Sequence, residues 1–213
     1  AEDATVSVKQ GDITFASYTF TAEKNPNGTE HNKSYALDAM SPYIYDEATD
    51  TYPVYTAKGL YAWSEKVRAI FDTGVCNYEI GAYEYEEDFP NLTLAADITL
   101  TGENNWTPIG GKDEDGSLYY TGTINGGGHT ITGLHINNNS GDQGFIGGLD
   151  EGGTVKNLTF ADVHMTAGQY SGIVAGNSKG TIENCHVTSG VNSYIHGSQC
   201  VGGIVGYNVG SVT

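Results

Sequence analysis

One serine lies in a pattern that hydrolases use for a nucleophile. Gly176, Ser178 and Gly180 match G-x-S-x-G, in which a serine hydroxyl at a sharp turn attacks an acyl carbon. That chemistry requires a strand before the serine, a helix after it, and an acidic residue and a histidine later in the chain. Here the pattern falls in a glycine-rich turn between two short strand-like blocks. We therefore predict a structural role for Ser178.

Six histidines are candidate metal ligands. His135 and His186 are predicted to share one outward column of a repeat, two coils apart, and one ion with bonds of about 2.0–2.1 Å cannot span that gap. Asp162 and His164 point to the same side of one predicted strand and could contribute to a weak site, but we expect a solvated pair of side chains instead. HExxH and CxxC patterns are absent from the sequence, and we predict no metal site.

Tyrosines and acidic residues are mixed in the first hundred residues. Tyrosine rings beside hydrogen-bond acceptors can stack on sugars or form an interface patch. The candidate ligand-binding residues are Tyr43, Tyr45, Tyr52 and Tyr55. The alternative is that Tyr43 and Tyr45 simply pack on the rest of the fold.

A group of acidic residues follows these tyrosines. Calcium needs several converging oxygen ligands, so the group is either a weak Ca²⁺ site or a solvated acidic loop. Its members are Glu79, Glu84, Glu86, Glu87 and Asp88. We expect no other cofactor.

Composition excludes several classes of protein. The 213 residues carry 9 Lys and Arg against 26 Asp and Glu, for a formal net charge of −17 and a pI near 4.4. Such a surface repels nucleic-acid phosphates and anionic lipids. No stretch approaches the ~20 apolar residues of a membrane-spanning helix, so we expect no membrane insertion. Cys76, Cys185 and Cys200 are too few for a disulfide scaffold; we expect buried thiols and leave a Cys185–Cys200 bridge open.

The N-terminal part reads as strands followed by one helix. Alternation over residues 5–8 and 13–20 predicts strands. Apolar residues then recur at helical spacing from about Ala57 to Phe71, and Thr56 is suited to be the N-cap. Trp63 and Phe71 lie on the apolar side of this helix, which we expect to cover the first coil of the repeats.

The second half repeats itself. Blocks beginning at Thr130, Thr154 and Thr181 share a pattern, with offsets of 24 and 27 residues, and a further copy begins at Ser211. A second block recurs in step at 144–147, 172–175 and 203–206. The blocks are short and rich in β-branched residues, and glycine and asparagine leave no room for a helix in each repeat. We predict a parallel β-solenoid, with two short strands per coil.

Stacked coils place equivalent residues in columns. The alignment puts Ile131, Val155, Ile182 and Val212 in one column, and Leu134, Leu158 and Cys185 in a second. The third column contains Ile136, Phe160 and Val187. Asn157 and Asn184 align where each strand bends, where an asparagine can cap the backbone and hydrogen-bond to its neighbour in the stack. Both are predicted to form a structural ladder.

These repeats resemble GLUG motifs, which are named for a Gly-hydrophobic-Gly signature. The residues that carry the resemblance are 172–177 and 202–210, together with the upstream segments 106–110 and 120–131. The resemblance covers roughly residues 54–213. It implies a right-handed parallel β-helix in secreted or surface proteins, especially of gut Bacteroidetes, often described as adhesin-like. The motif brings no catalytic residues with it.

We therefore expect a mainly all-β fold with three segments. Residues 1–53 form an N-terminal β-rich segment, residues 54–105 a capping α-helix and first rung, and residues 106–213 a parallel β-helix of about three to four coils. The sequence stops at Thr213 within a repeat. An unpaired β edge there invites pairing, so we expect either a fragment of a longer protein or end-to-end self-association.

Three functions fit this organisation. The first is a non-catalytic, secreted or surface-anchored adhesin that contacts glycans or host and matrix proteins, a role in cell adhesion. The second is a structural stalk that presents another domain. The third is a polysaccharide-acting β-helix enzyme, which we disfavour because the repeats offer no stacked acidic pair and the only arginine, Arg68, lies on the predicted helix.

Overall fold

The computed structural model describes residues 3–10, 13–21, 46, 48–77, 82–85, 88–101, 105–112, 117–139, 141–188, 190 and 193–213. The chain divides into two compact units, Ala1–Met40 and Ser41–Thr213. The first unit contains strands β1 (Asp3–Gln10) and β2 (Ile13–Thr21), which pair antiparallel with an irregularity between Val8 and Lys9. Both strands cover the alternating segments from which they were predicted.

The second unit opens with one helix and several short strands. The elements before the first complete coil are β3 (Tyr52–Val54), α1 (Ala57–Asp72), β4 (Val75–Asn77), β5 (Ala82–Glu84), β6 (Leu92–Leu94), β7 (Ile98–Thr99), β8 (Gly111–Lys112) and β9 (Ser117–Leu118). Strands β4 and β5 pair antiparallel, as do β8 and β9. Strands β3 and β6 are already parallel neighbours.

Three complete coils follow, each with five short strands. The first of them has β10 (Thr123–Asn125), β11 (Thr130–Thr132), β12 (His135–Asn138), β13 (Asp142–Gln143) and β14 (Ile146–Leu149). The next has β15 (Thr154–Lys156), β16 (Thr159–Ala161), β17 (His164–Ala167), β18 (Tyr170–Gly172) and β19 (Ala175–Ser178). The last has β20 (Thr181–Glu183), β21 (His186–Thr188), β22 (Tyr194–His196), β23 (Val201–Gly202) and β24 (Val205–Asn208), followed by β25 (Ser211–Val212).

The coils stack as a parallel β-solenoid of about four turns, because β6 and β7 form a partial first coil. Five parallel sheets result, and we number them by their position around the coil. The first contains β3, β6, β10, β15, β20 and β25, and the second contains β7, β11, β16 and β21. The third contains β12, β17 and β22, the fourth β13, β18 and β23, and the fifth β14, β19 and β24. The predicted fold class is thereby confirmed, with five short strands per coil instead of two.

The interior is filled by columns of apolar side chains. Ile124, Val155 and Ile182 stack in the first sheet, and Ile136 and Met165 in the third; all five are fully buried. Aromatic rings fill part of the core, where Trp106 stacks on Phe145 with ring centroids 4.9 Å apart and Phe145 contacts Phe160. Burial of this apolar surface is the main driving force for stacking the coils.

The predicted columns were wrong in register for one block. Ile131 does not stack on Val155; it pairs with Ile98 on one side and Phe160 on the other. Val155 pairs instead with Ile124. Ile136 correspondingly stacks on Met165 rather than on Phe160. Successive strands of one coil carry the same short alternating pattern, so the alignment moved the block beginning at Thr130 onto the neighbouring sheet.

Helix α1 covers the N-terminal end of the core. Its predicted N-cap is confirmed, because the Thr56 side chain accepts a hydrogen bond from the Gly59 amide. Trp63 is fully buried, and its ring lies edge-on to Tyr120. The Trp63 Nε1 and the Tyr120 hydroxyl both donate to the Pro90 carbonyl, at 3.2 and 2.9 Å. Among the described residues, no helix is long and apolar enough to cross a membrane.

Candidate functional site: an outer face of the third sheet

Of the four tyrosines predicted to bind ligand, the structure describes Tyr52 and Tyr55. Tyr52 lies in β3, is half-buried against the core, and has the Lys66 ammonium 5.7 Å from its ring centroid. Tyr55 follows the strand and is also half-buried. Tyr43 and Tyr45 lie outside the described residues, as do Glu79, Glu86 and Glu87 of the acidic group.

The two predicted ladder asparagines are brought together. The Asn184 amide nitrogen donates to the Asn157 side-chain oxygen at 2.9 Å, and the Asn157 amide nitrogen donates to the Asn125 side-chain oxygen at 3.3 Å. Asn157 and Asn184 have φ of 53° and 48°, the left-handed conformation that asparagine tolerates better than most residues. The sequence prediction missed Asn125 as the first member, because Asn125 lies one residue before the equivalent position and pairs with Lys156.

A column of rings crosses the outside of the third sheet. His135, His164 and Tyr194 occupy paired positions of β12, β17 and β22, and their neighbours Ile136, Met165 and Ile195 point inward. The His164 and Tyr194 rings are stacked, with centroids 5.4 Å apart and planes inclined by 28°. We call His135, His164 and Tyr194 the ring column.

A row of polar side chains runs beside the ring column. Asn137, Thr166 and His196 are paired across the same three strands, two residues further along, and so share the outward side. The His196 ring lies 5.0 Å from that of Tyr194, which joins the two rows. We call these six residues together the ring-lined face.

An open groove borders the ring-lined face where the third sheet ends. It has a volume of about 330 Å³, and its polar lining comes from Asn139, Thr166, His196 and Ser198. The remaining lining residues are small, with Gly168 and Gly197 among them. Each of the three complete coils contributes to this groove, so a ligand in it would contact all of them.

The ring-lined face carries little formal charge. None of its six outward residues is acidic, and none is lysine or arginine. Asp162 stands at its border, in a left-handed bend with φ of 51°, and its Oδ1 lies 3.7 Å from His164 Nε2. Both side chains are partly exposed, so solvent weakens this contact. The ring-lined face therefore presents aromatic rings, amides and hydroxyls to a ligand and has no strong electrostatic field.

Another pair of rings lies on a different side of the solenoid. Tyr170 and Tyr207 have ring centroids 5.2 Å apart, in the fourth and fifth sheets. Nearby, the Lys179 ammonium lies 4.1 Å from the Tyr119 ring centroid, and Asn177 donates to the Tyr119 hydroxyl. Tyr207 is 44% exposed and Tyr194 is 40% exposed, so the two tyrosines are a matched pair for experiments.

The structure also places the residues considered for catalysis and metal binding. Ser178 ends β19 with a buried side chain and precedes a turn and β20, so the strand–turn–helix context of a nucleophile elbow is missing at this described position. The predicted column of His135 and His186 was wrong, because His186 pairs with Thr159 in the second sheet. Within the described residues, no group of three or more His, Cys, Asp or Glu could hold a metal ion.

Burial shifts the pKa of several groups, among them Tyr120 and Cys185. It raises the pKa of the Tyr120 hydroxyl, which stays protonated and donates to Pro90. Burial also raises the pKa of the Cys185 thiol, which lies 3.4 Å from the Glu183 carbonyl oxygen. Cys185 and Cys200 are both free thiols, and Cys200 is exposed, contrary to the expectation that the thiols are buried.

Sequence reasoning missed the ring-lined face because the block beginning at Thr130 was aligned one sheet away. A signal was nevertheless present. His135-Ile-Asn, His164-Met-Thr and Tyr194-Ile-His each place an aliphatic residue between two polar or aromatic ones, at nearly constant spacing. An alignment centred on Ile136, Met165 and Ile195 would have found it.

Comparison with known proteins finds two relatives that are each much longer than the segment they share with this chain. It is 29% identical over 172 residues to halomucin of Haloquadratum walsbyi, an alignment that covers 79% of this chain and 2% of halomucin. It is 36% identical over 159 residues to a protein of Evansella cellulosilytica named as a Gly-rich membrane protein, covering 58% of this chain and 18% of that protein. No family model and no solved structure matches the chain. The chain is thus similar to short segments of both relatives, and it spans well under a quarter of either one.

Proposed function

We propose that this chain is a non-catalytic binding module of a secreted or cell-surface protein. Its ligand is a glycan or a protein outside the cell, and the ring-lined face contacts it. The observation that carries the proposal is the ring column: two histidines and a tyrosine stand in register on the outside of a solenoid whose interior is already filled by other side chains. Aromatic side chains at a surface, held by a rigid sheet, are suited to recognition.

The surface location is supported by the relatives. One is named as a membrane protein and the other is halomucin, and this chain resembles a short part of each. A solenoid segment within a much longer chain suits an extended protein that projects away from a cell. The formal charge of −17 keeps such a surface soluble and disfavours adsorption to anionic lipids.

We further propose that the repeats are of the GLUG type. The glycines of the Gly-hydrophobic-Gly signature support this, because Gly147, Gly176 and Gly206 follow the paired residues of the fifth sheet directly and form one column. A Cβ on Gly176 would lie 2.5 Å from the Gln143 backbone nitrogen, and one on Gly206 2.4 Å from that of Ser171. The signature thus has a physical reason, which is the close approach of the fourth and fifth sheets.

The main alternative is a structural stalk. Packed rings inside the solenoid and the asparagine ladder would stiffen such a rod whether or not its surface binds anything. The two functions differ at one place, because a stalk has no use for the ring column. A catalytic role has less support, since the described outward positions of the third sheet include no acidic pair.

An array experiment separates the two functions. The purified chain is applied to mucin-type glycans, plant and microbial polysaccharides and matrix proteins, beside a His164→Ala/Tyr194→Ala variant and a Tyr207→Ala control. The proposal predicts saturable binding that the double variant loses and the control keeps. Absence of binding by a folded chain across the array would favour the stalk, and binding that the double variant retains would move the site elsewhere.

A further inference from the structure

We infer that the ring-lined face binds a neutral, extended polysaccharide whose chain runs along the solenoid axis, across the strands. This inference rests on the proposed function and names the ligand class of the same site. It assigns the outward ring edges of the ring column and the polar groups of the adjoining groove to the hydroxyl groups of the sugar chain.

The repeat distance of the face is the first reason. Neighbouring strands of a sheet lie about 4.8 Å apart, so equivalent side chains recur at that interval along the axis. The His164 and Tyr194 centroids are 5.4 Å apart, which follows this interval closely. An extended β-1,4-linked chain of six-membered sugars advances by a similar distance per ring. Successive sugars can therefore meet equivalent side chains on successive coils.

The chemistry of the face is the second reason. Each sugar ring has a C–H face, which packs on an aromatic ring, and an edge of hydroxyls, which needs donors and acceptors at hydrogen-bond distance. Because the His164 and Tyr194 rings are stacked on each other along the axis, they turn their edges outward, and the imidazole nitrogens and phenol hydroxyl on those edges can hydrogen-bond to the sugar hydroxyls. Asn139, Thr166 and Ser198 in the groove supply further amide and hydroxyl groups for these hydroxyls. A few polar groups beside apolar surface are the usual composition of a site for a small polar ligand.

The absence of aliphatic side chains argues against a protein partner. The six outward residues of the ring-lined face are histidine, asparagine, threonine and tyrosine, with no leucine, isoleucine, valine or methionine among them. Protein interfaces concentrate their binding energy in a fully buried apolar centre, which this face lacks. Its apolar area is confined to the outward edges of the rings, because the His164 and Tyr194 rings stack on each other, and this area is too small for such a centre.

Charge selects a neutral ligand. The chain has a formal net charge of −17, and Asp162 lies 3.7 Å from the central histidine of the column. A polyuronate or a sulfated glycan would be repelled during its approach and would find no lysine or arginine among the six outward residues. A neutral chain meets neither penalty.

Titration calorimetry with defined oligosaccharides tests this inference. The probes are neutral β-1,4-linked xylo-, manno- and cello-oligosaccharides of two, four and six sugars, with oligogalacturonate of equal length as the charged comparison. We expect one neutral series to bind more tightly as its length increases from two to four sugars. Tyr194→Ala should weaken that binding about tenfold, whereas Tyr207→Ala should leave it within about twofold. Far-UV circular dichroism confirms that each variant is folded.

The outcomes distinguish this inference from the function on which it rests. Tighter binding of oligogalacturonate, affinity independent of length, or equal losses in both tyrosine variants would overturn the inference. If no neutral series binds but the array yields a protein ligand lost with His164→Ala/Tyr194→Ala, the proposed binding function stands and the polysaccharide assignment fails. If neither assay detects binding by the folded chain, both fail.

Discussion

The side-chain nitrogen of Asn184 donates a hydrogen bond to the side-chain oxygen of Asn157, 2.9 Å away on the preceding coil. Asn157 repeats the contact with Asn125, at 3.3 Å. Each donated bond runs in the same direction along the axis, so the ladder joins three coils at one corner. Because both donor residues also have left-handed backbone conformations, the same side chains fix the bend and its stacking.

Replacing Asn157 with alanine should destabilise the solenoid by about 3 kcal/mol. The variant loses two hydrogen bonds, worth about 1 kcal/mol each, and places a Cβ without a polar group at φ of 53°, for about 1 kcal/mol more. Asn157→Gly should cost about 1 kcal/mol less, because glycine adopts this φ freely. Urea denaturation followed by circular dichroism measures both. Equal losses would contradict the backbone part of this explanation.

In the asparagine ladder, aspartate should be tolerated in place of Asn125 and should be destabilising in place of Asn157. The Asn125 side-chain oxygen accepts bonds from the Gly127 amide and from Asn157, and a carboxylate accepts both. At Asn157 a carboxylate cannot donate to Asn125 and would oppose its oxygen. We expect Asn125→Asp to leave the thermal midpoint within about 2 °C and Asn157→Asp to lower it by about 4–8 °C, for a loss of about 2 kcal/mol. Similar losses in both variants would contradict this direction, because in a ladder running the other way Asn125 and Asn157 would both be donors.

Adding even a methyl group to the glycine column of Gly147, Gly176 and Gly206 should destabilise the solenoid. In Gly176→Ala the new Cβ would lie 2.5 Å from a backbone nitrogen of β13, which cannot move without disturbing the adjacent coil. We expect a loss of about 3 kcal/mol in the free energy of unfolding. Gly203 is the matched control, because nothing lies within 4 Å of a Cβ built there. Gly203→Ala should change stability by less than about 0.5 kcal/mol. Comparable losses in both variants would contradict the close approach of the two sheets.

The sequence was sufficient for the architecture and the helix, and insufficient for the register. Helix α1 follows from a long apolar stripe with a cap at Thr56, a signal spread over sixteen residues. Strands of two to four residues carry much less information. Because Thr130-Ile-Thr and Thr154-Val-Lys look alike, similarity alone could not show that the former pairs with Thr159. The ring column depends on that register, so it emerged only when the coils were assembled.

Cys185 and Cys200 should differ in reactivity. The thiolate is the reactive form, and burial raises the pKa of the Cys185 thiol, while Cys200 is exposed. At pH 7 we expect iodoacetamide to modify Cys200 at least about tenfold faster than Cys185, as measured by peptide mass mapping. The Cys185 rate should increase as the pH is raised to 9. Similar rates for the two thiols at pH 7 would contradict the burial of Cys185.

The same pKa shift predicts a weak dependence of stability on pH. A thiol with a pKa raised by folding keeps its proton while the unfolded chain has begun to release it. The contribution of Cys185 to stability is therefore complete below the unfolded value of about 8.5 and is lost as the pH rises through the folded value. Cys185→Ala should reduce this loss between pH 8 and pH 10 in urea denaturation. An unchanged pH profile would mean that the shift is absent.

The most direct test of the central claim compares two tyrosines of nearly equal exposure in one binding assay. The ligand is the one that binds most tightly in the array or the oligosaccharide series, and its Kd is measured for the wild type, Tyr194→Ala and Tyr207→Ala. Our account predicts about a tenfold increase in Kd for Tyr194→Ala, which breaks the ring column, and less than about a twofold change for Tyr207→Ala. An unchanged Kd in Tyr194→Ala, or a larger effect in Tyr207→Ala, would contradict a binding site on the third sheet.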